Sequence, residues 1–124
     1  MGPMYSAQLL DYFQNPRNVG DIEKPDGRAE VENPACGDIL RLTVRVADGK
    51  IVEIRFKARG CVPSMACGSA LTEMVLGRTL AEARSLRREE LVEQVGGLPP
   101  ASGHAGYLAL DALRSVLDEV QRRP

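Results

Sequence analysis

Residues 39–59 read ILRLTVRVADGKIVEIRFKAR, and no other stretch restricts the fold of this chain as strongly. Leu40, Leu42, Val44 and Val46 alternate with Arg41, Thr43 and Arg45. Beyond Asp48-Gly49, Val52, Ile54, Phe56 and Ala58 alternate with Glu53, Arg55 and Lys57. Successive side chains of a strand point to opposite faces, so each run presents one apolar and one polar face. An Asp-Gly pair between two such runs favours a tight turn, because its central residues tolerate positive φ. The stretch is therefore expected to form a β-hairpin with one buried and one wet face.

The period changes on either side of the hairpin. Residues 6–13, SAQLLDYF, predict a short helix capped by Ser6 and ended before Asn15-Pro16. Residues 15–27 are rich in Pro, Gly, Asn and Asp and read as an ordered surface loop, and RAEVE (28–32) as a weak edge strand. After the hairpin, SMACGSALTEMVLG predicts a helix from Ser64 to Leu76, closed by Gly77. Thr79 and Glu82 have the spacing of a capping box for the short helix LAEARSL, and residues 88–95 predict another. Leu110, Leu113, Leu117 and Val120 lie at helical spacing, which predicts a terminal helix of about four turns packed on the sheet. Strands first and helices afterwards make an α+β fold, with a small antiparallel sheet of about three strands packed against several α-helices. At 124 residues, 1–124 is expected to be a single domain.

The hairpin also gathers the chain's sparse chemistry. Cys36 and Asp38 lie in the loop NPACGD (33–38) that enters the first strand, and Cys61 follows the second strand directly after Gly60. A hairpin returns to its origin, so Cys36, Asp38 and Cys61 are expected at one end of the sheet. His104, the only histidine, sits in ASGHAG ahead of the terminal helix, where its imidazole can complete a four-ligand set. Two thiolates, an imidazole and a carboxylate suit tetrahedral zinc, or iron with sulfide. Nothing in the chain forms a paired C-x-x-C zinc motif, and each of these residues also has a plain structural reading. Cysteine serves as a small buried hydrophobe, histidine as a hydrogen-bonding group, and Asp38 as a turn former. Cys67 shares a helical face with Leu71 and Met74 and is assigned to the core.

Three cysteines, an odd and low number, argue against a disulfide framework and fit a reducing, cytoplasmic setting. A net charge of −1 provides no attraction to nucleic acid or an anionic membrane. No apolar run reaches the roughly 18 residues of a membrane span, and no secretory signal order is present. Gly2-Pro3 ahead of Met4 reads as a cloning remnant, with the native start at Met4. No acid–base pair or activated nucleophile stands out elsewhere, so a metal-binding module is expected rather than an enzyme, with no catalytic residues.

NPRNVG (15–20), NPACGD (33–38), GC (60–61), TEMVLG (72–77), LPP (98–100) and LALDAL (108–113) together resemble the IscU/NifU-type iron–sulfur cluster assembly scaffold family, N-terminal domain type. The resemblance runs from Met4 along nearly the whole chain and implies the same α+β fold. By it, Cys36 and Cys61 match the family's first two ligand cysteines, Asp38 its aspartate, and His104 the histidine before its third ligand cysteine. The implied function is a scaffold or carrier that binds iron or a labile 2Fe–2S cluster, with zinc an alternative occupant of the same site. The implied partners are a cysteine desulfurase, which supplies sulfur, and apo iron–sulfur proteins, which receive clusters.

Two departures stand out. Ala105 occupies the position of the third thiol, to which the family's acceptance of sulfur is commonly assigned. LPPAS (98–102) stands where the family's chaperone-binding segment reads Leu-Pro-Pro-Val-Lys, which weakens the expectation of an Hsp70-type chaperone partner. Tyr5 falls near a family tyrosine linked to self-association, so a homo-oligomer is a further implied option. The alternatives are a zinc-bound sulfur relay resembling the SufU branch, or a degenerate relative that keeps the fold without handling clusters. Against the relay stand Ala105 and the short region between Gly77 and Arg88, which lacks that branch's insertion.

Overall fold

The structure, a computed structural model, describes residues 5–122, so the expected start at Met4 and the Gly2-Pro3 junction lie outside the described residues. Helix α1 (Ala7–Gln14) is followed by strands β1 (Gly27–Glu32), β2 (Ile39–Ala47) and β3 (Lys50–Arg59). Helices α2 (Val62–Val75), α3 (Leu80–Arg84), α4 (Arg88–Gln94) and α5 (His104–Arg122) complete the chain, with a 3₁₀ turn at Pro100–Ser102 before α5. The three strands form one antiparallel sheet in the order β1-β2-β3. α5 packs on β1 and β2, α2 on β3, and α1 on α2, which makes the expected α+β architecture.

Local chemistry explains most boundaries. The Ser6 side chain accepts a hydrogen bond from the Leu9 backbone N–H and caps α1. Asp48 (φ 54°) and Gly49 (φ 74°) both take positive φ, as the two-residue hairpin turn requires. Thr79 and Glu82 form the capping box of α3 as the spacing predicts. The inner face of the sheet carries Leu40, Leu42, Val44, Ile51, Ile54 and Phe56 into a core shared with Leu71, Leu113 and Leu117.

Two features of the hairpin differ from the alternating pattern. Arg45 pairs with Glu53 but Val46 pairs with Ile51, so a bulge leaves Val52 as an extra residue on β3. The alternation therefore changes phase: Ile51 is fully buried, whereas Val52 is 49% exposed. The outer face is also not uniformly wet, because the loop after α1 folds across it. Gly20 and Asn18 pair with Phe56 on the edge of β3, and the Ile22 backbone N–H donates to Thr43 Oγ1 at 3.0 Å, burying both residues. Two helices also begin earlier than the sequence suggests. α2 starts at Val62, with Cys61 as its N-cap and Pro63 in its first turn, where a missing N–H has no cost. α5 starts at His104 itself and runs for 19 residues, so His104 and Ala105 lie in a helix rather than in the preceding loop.

Candidate metal centre

The loop entering β2 is shaped by Asn33. Its side-chain Oδ1 accepts from the Ala35 N–H at 3.0 Å, and its carbonyl accepts from the Gly37 N–H at 2.7 Å. The Asn33 N–H in turn donates to the Asp38 carbonyl at 2.8 Å, closing the loop. Cys36 is thereby left exposed while Asp38, two residues on, is 3% exposed. β3 returns beside this loop and passes through Gly60 into α2, whose N-cap is Cys61. α5 contributes His104 from its first turn. The four candidate ligands thus come from a loop, a helix cap and a helix start at the same end of the sheet.

Asp38 is the centre of this group. Its Oδ1 accepts the Cys61 backbone N–H at 3.1 Å. Its Oδ2 accepts the Ser64 hydroxyl at 2.7 Å and the Cys61 thiol at 3.0 Å, and lies 3.2 Å from His104 Nε2. Cys61 Sγ lies 3.3 Å from Ser64 Oγ and 3.7 Å from His104 Nε2. Cys36, Asp38 and His104 each place one potential ligand atom within 4.8 Å of the others, while Cys61 joins through Asp38 and His104.

The electrostatics follow from these contacts. Burial alone raises the Asp38 carboxyl, but hydrogen bonds from the Cys61 thiol, the Ser64 hydroxyl, the Cys61 N–H and the Cys36 thiol outweigh it and hold Asp38 well below the usual carboxylate range. A carboxyl depressed on folding stabilises the native state above its unfolded pKa of about 3.9, and that contribution is lost as pH falls through its lower folded value. Burial pushes the Cys61 thiol up and nearby Asp38 adds to it, while the Ser64 hydrogen bond opposes both. The Cys61 thiol is thus set to donate to Asp38.

Gly60 makes this packing possible. Its φ of 138° lies in the region open to glycine, and a Cβ there would come within 2.0 Å of Asp38 Oδ1. Gly60→Ala is expected to destabilise the fold by about 1–3 kcal/mol and to weaken metal binding, because Asp38 has to swing away. Thermal unfolding and zinc titration of the variant check both, and unaltered zinc affinity would argue against Asp38 as a ligand.

The remaining residues singled out in the sequence lie apart from this group or lack its chemistry. Cys67 is fully buried in the core and its thiol is pushed up to about 12 by burial, which makes it a packing residue. Ala105 is 1% exposed in the first turn of α5 and offers no ligand atom. Tyr5 is half-buried against the core. Ser64, 1% exposed, was not among the sequence candidates. Its signal is a hydroxyl in the first turn of α2, three residues beyond the N-cap Cys61. A cavity of about 250 Å³, lined by Asn33, Pro34, His104 and Tyr107 among others, opens beside the group. No described helix is long and apolar enough to cross a membrane.

A mixed set of soft thiolates and harder imidazole and carboxylate can hold zinc, ferrous iron or sulfide-bridged iron, provided the thiols give up their protons. Residues 4–124 match the family described as NifU-like N terminal domain. The chain is 43% identical over 120 residues to a protein of Archaeoglobus fulgidus named iron-sulfur cluster assembly scaffold protein IscU 1, covering 97% of this chain and 78% of that one. It is 37% identical over 123 residues to the protein of Haemophilus influenzae named iron-sulfur cluster assembly scaffold protein IscU, covering 96% and 97% of the two chains. In three dimensions it is similar to a putative iron-sulfur cluster assembly scaffold protein for the SUF system from Fervidobacterium islandicum AW-1. The TM-score is 0.78, with 22% identity over 92% of this chain and 96% of that one, a likeness of fold alone.

Proposed function

The chain belongs to the NifU-like N-terminal domain family, and from that premise we propose that it is an iron–sulfur cluster assembly scaffold, a binding protein rather than an enzyme. Its cargo is iron or a labile 2Fe–2S cluster, held by Cys36, Asp38, Cys61 and His104 and passed on to apo-proteins. The observation that carries this reading is the meeting of two thiols and an imidazole around the Asp38 carboxylate. The donor set fits such a cargo: thiolates grip sulfide-bridged iron well, whereas imidazole and carboxylate are poorer partners, so the cluster is held and also released. Cys36 and Cys61 would bind as thiolates and His104 through Nε2, the atom turned towards Asp38 and Cys61. Sulfur would come from a cysteine desulfurase, in a reducing cytosol where all three thiols stay free. Ala101 and Ser102 lack the bulk and charge of the family's chaperone-binding segment, which weighs against an Hsp70-type chaperone partner.

A zinc-bound sulfur relay is the second reading, favoured by the same four donors, which form an acceptable tetrahedral zinc set. Ala105 weighs against it, because a relay needs a thiol that can leave the metal and accept sulfur. Metal and acid-labile sulfide analysis after anaerobic reconstitution separates the two. Iron with an equal amount of sulfide is expected for the scaffold. Zinc retained to the exclusion of iron and sulfide would replace it with the relay.

A further inference from the structure

Asp38 is surrounded by hydrogen-bond donors, but they differ in what becomes of them when metal arrives. Three groups around its carboxylate, the Cys36 thiol, the Cys61 thiol and His104 Nε2, are themselves candidate ligands. A thiol that binds metal loses its proton, and an imidazole nitrogen that binds metal offers its lone pair, so none of the three can go on donating to Asp38. Two donors do not take part in ligation: the Cys61 backbone N–H on Oδ1 at 3.1 Å and the Ser64 hydroxyl on Oδ2 at 2.7 Å. The backbone donor holds one oxygen. Only the Ser64 hydroxyl then fixes how the second oxygen is turned.

We infer that Ser64 is a positioning residue for Asp38, fixing the carboxylate that completes the metal site once the thiols and the imidazole have become ligands. The inference rests on reading Cys36, Asp38, Cys61 and His104 as the ligands. Ser64 is suited to the task by its place in the chain as well as by its hydroxyl. It lies in the first turn of α2, three residues beyond Cys61, so the same helix start sets both the thiol and the group that orients its carboxylate neighbour. Burial at 1% exposure keeps water from substituting for the hydroxyl, which would otherwise make the contact dispensable. Partners of this kind orient ligating carboxylates, and their loss commonly weakens metal affinity by about 10- to 100-fold.

The test uses zinc affinity by competition with a chromophoric chelator and the d–d absorption of the cobalt(II)-loaded protein. Ser64→Ala is expected to weaken zinc binding by about 10-fold or more and to shift the cobalt bands, with the thiolate charge-transfer bands retained. Ser64→Thr, which keeps a hydroxyl, is expected to restore both. The decisive comparison is a double-mutant cycle: in an Asp38→Ala background, Ser64→Ala is expected to add no further loss. An unchanged affinity in Ser64→Ala, the same loss on top of Asp38→Ala, or a Ser64→Thr spectrum like that of Ser64→Ala each overturns the inference. Should Ser64→Ala prove unfolded when metal-free, Ser64→Thr decides: zinc affinity and cobalt bands like those of the wild type are expected, and an affinity about tenfold weaker with shifted bands overturns the inference. Failure of the wild-type protein to bind cobalt with thiolate bands overturns the ligand reading and this inference together, whereas wild-type binding with an indifferent Ser64→Ala overturns this inference only.

Discussion

Cys36→Ser and Cys61→Ser are each expected to abolish retention of metal and cluster, while Cys67→Ser leaves it nearly intact. The asymmetry follows from position, since the three thiols are chemically alike. Cys36 and Cys61 are the two thiols that meet Asp38 and His104, so removing either leaves a single thiolate donor. A serine hydroxyl does not compensate, because it is a far weaker and harder ligand for zinc or sulfide-bridged iron. Cys67 instead sits in the core with no exposed surface. Replacing its sulfur buries a hydroxyl without a designed partner and should cost about 1–3 kcal/mol of stability. Metal content after desalting, measured beside thermal unfolding of the metal-free proteins, separates the two kinds of damage. Loss of metal from Cys67→Ser with retention by Cys36→Ser would mean that the site has been misassigned.

Ala105→Cys is expected to lengthen the lifetime of bound cluster under chelator challenge. Residue 105 follows His104 in the first turn of α5, so an added sulfur lies one residue from a proposed ligand. A third thiolate supplies a soft anionic donor that the chain lacks, and a net gain of only about 1.4 kcal/mol in binding corresponds to a tenfold change. The structure limits what else this substitution can do. Ala105 is 1% exposed and α5 already begins at His104, so the new thiol is buried in a helix, not carried on an adjustable loop. Acceptance of sulfur from a desulfurase at this position therefore requires the first turn of α5 to open. Chelator-challenge half-life and persulfide mass shift, measured on the same variant, read the two consequences separately. A half-life equal to that of the parent protein would show that position 105 does not reach the cluster.

Much of this architecture could be read before any coordinates, for identifiable reasons. The hairpin was legible because alternation and an Asp-Gly turn are local signals, and its closure alone brings Cys36, Asp38 and Cys61 to one end. The capping box of α3 was legible for the same reason. The bulge was not, because Ile51 and Val52 are both apolar and either phase of alternation is acceptable until pairing with Val46 selects one. Burial of Thr43 depends on Ile22, which reaches it across the sheet from a loop without periodicity. The apolar spacing that marks the terminal helix starts only at Leu110, so His104 reads as lying ahead of it, yet α5 begins at His104 and runs through Gly106. Ser64 is silent in the sequence because its hydroxyl matters only through Asp38, which is 26 residues away along the chain. Local pattern shows where the ligands gather, and tertiary contact decides what orients them.

Retention alone does not distinguish a carrier from a protein with a permanent cluster; transfer does. The direct measurement is to incubate the anaerobically reconstituted protein with an apo 2Fe–2S ferredoxin and follow the ferredoxin's own circular dichroism, with a chelator present to capture free iron. The ferredoxin is expected to acquire its cluster from the loaded protein faster than from iron and sulfide in solution, while the donor's iron and sulfide fall in step. A cluster that stays on this protein, or a transfer that the chelator abolishes, would contradict the carrier role.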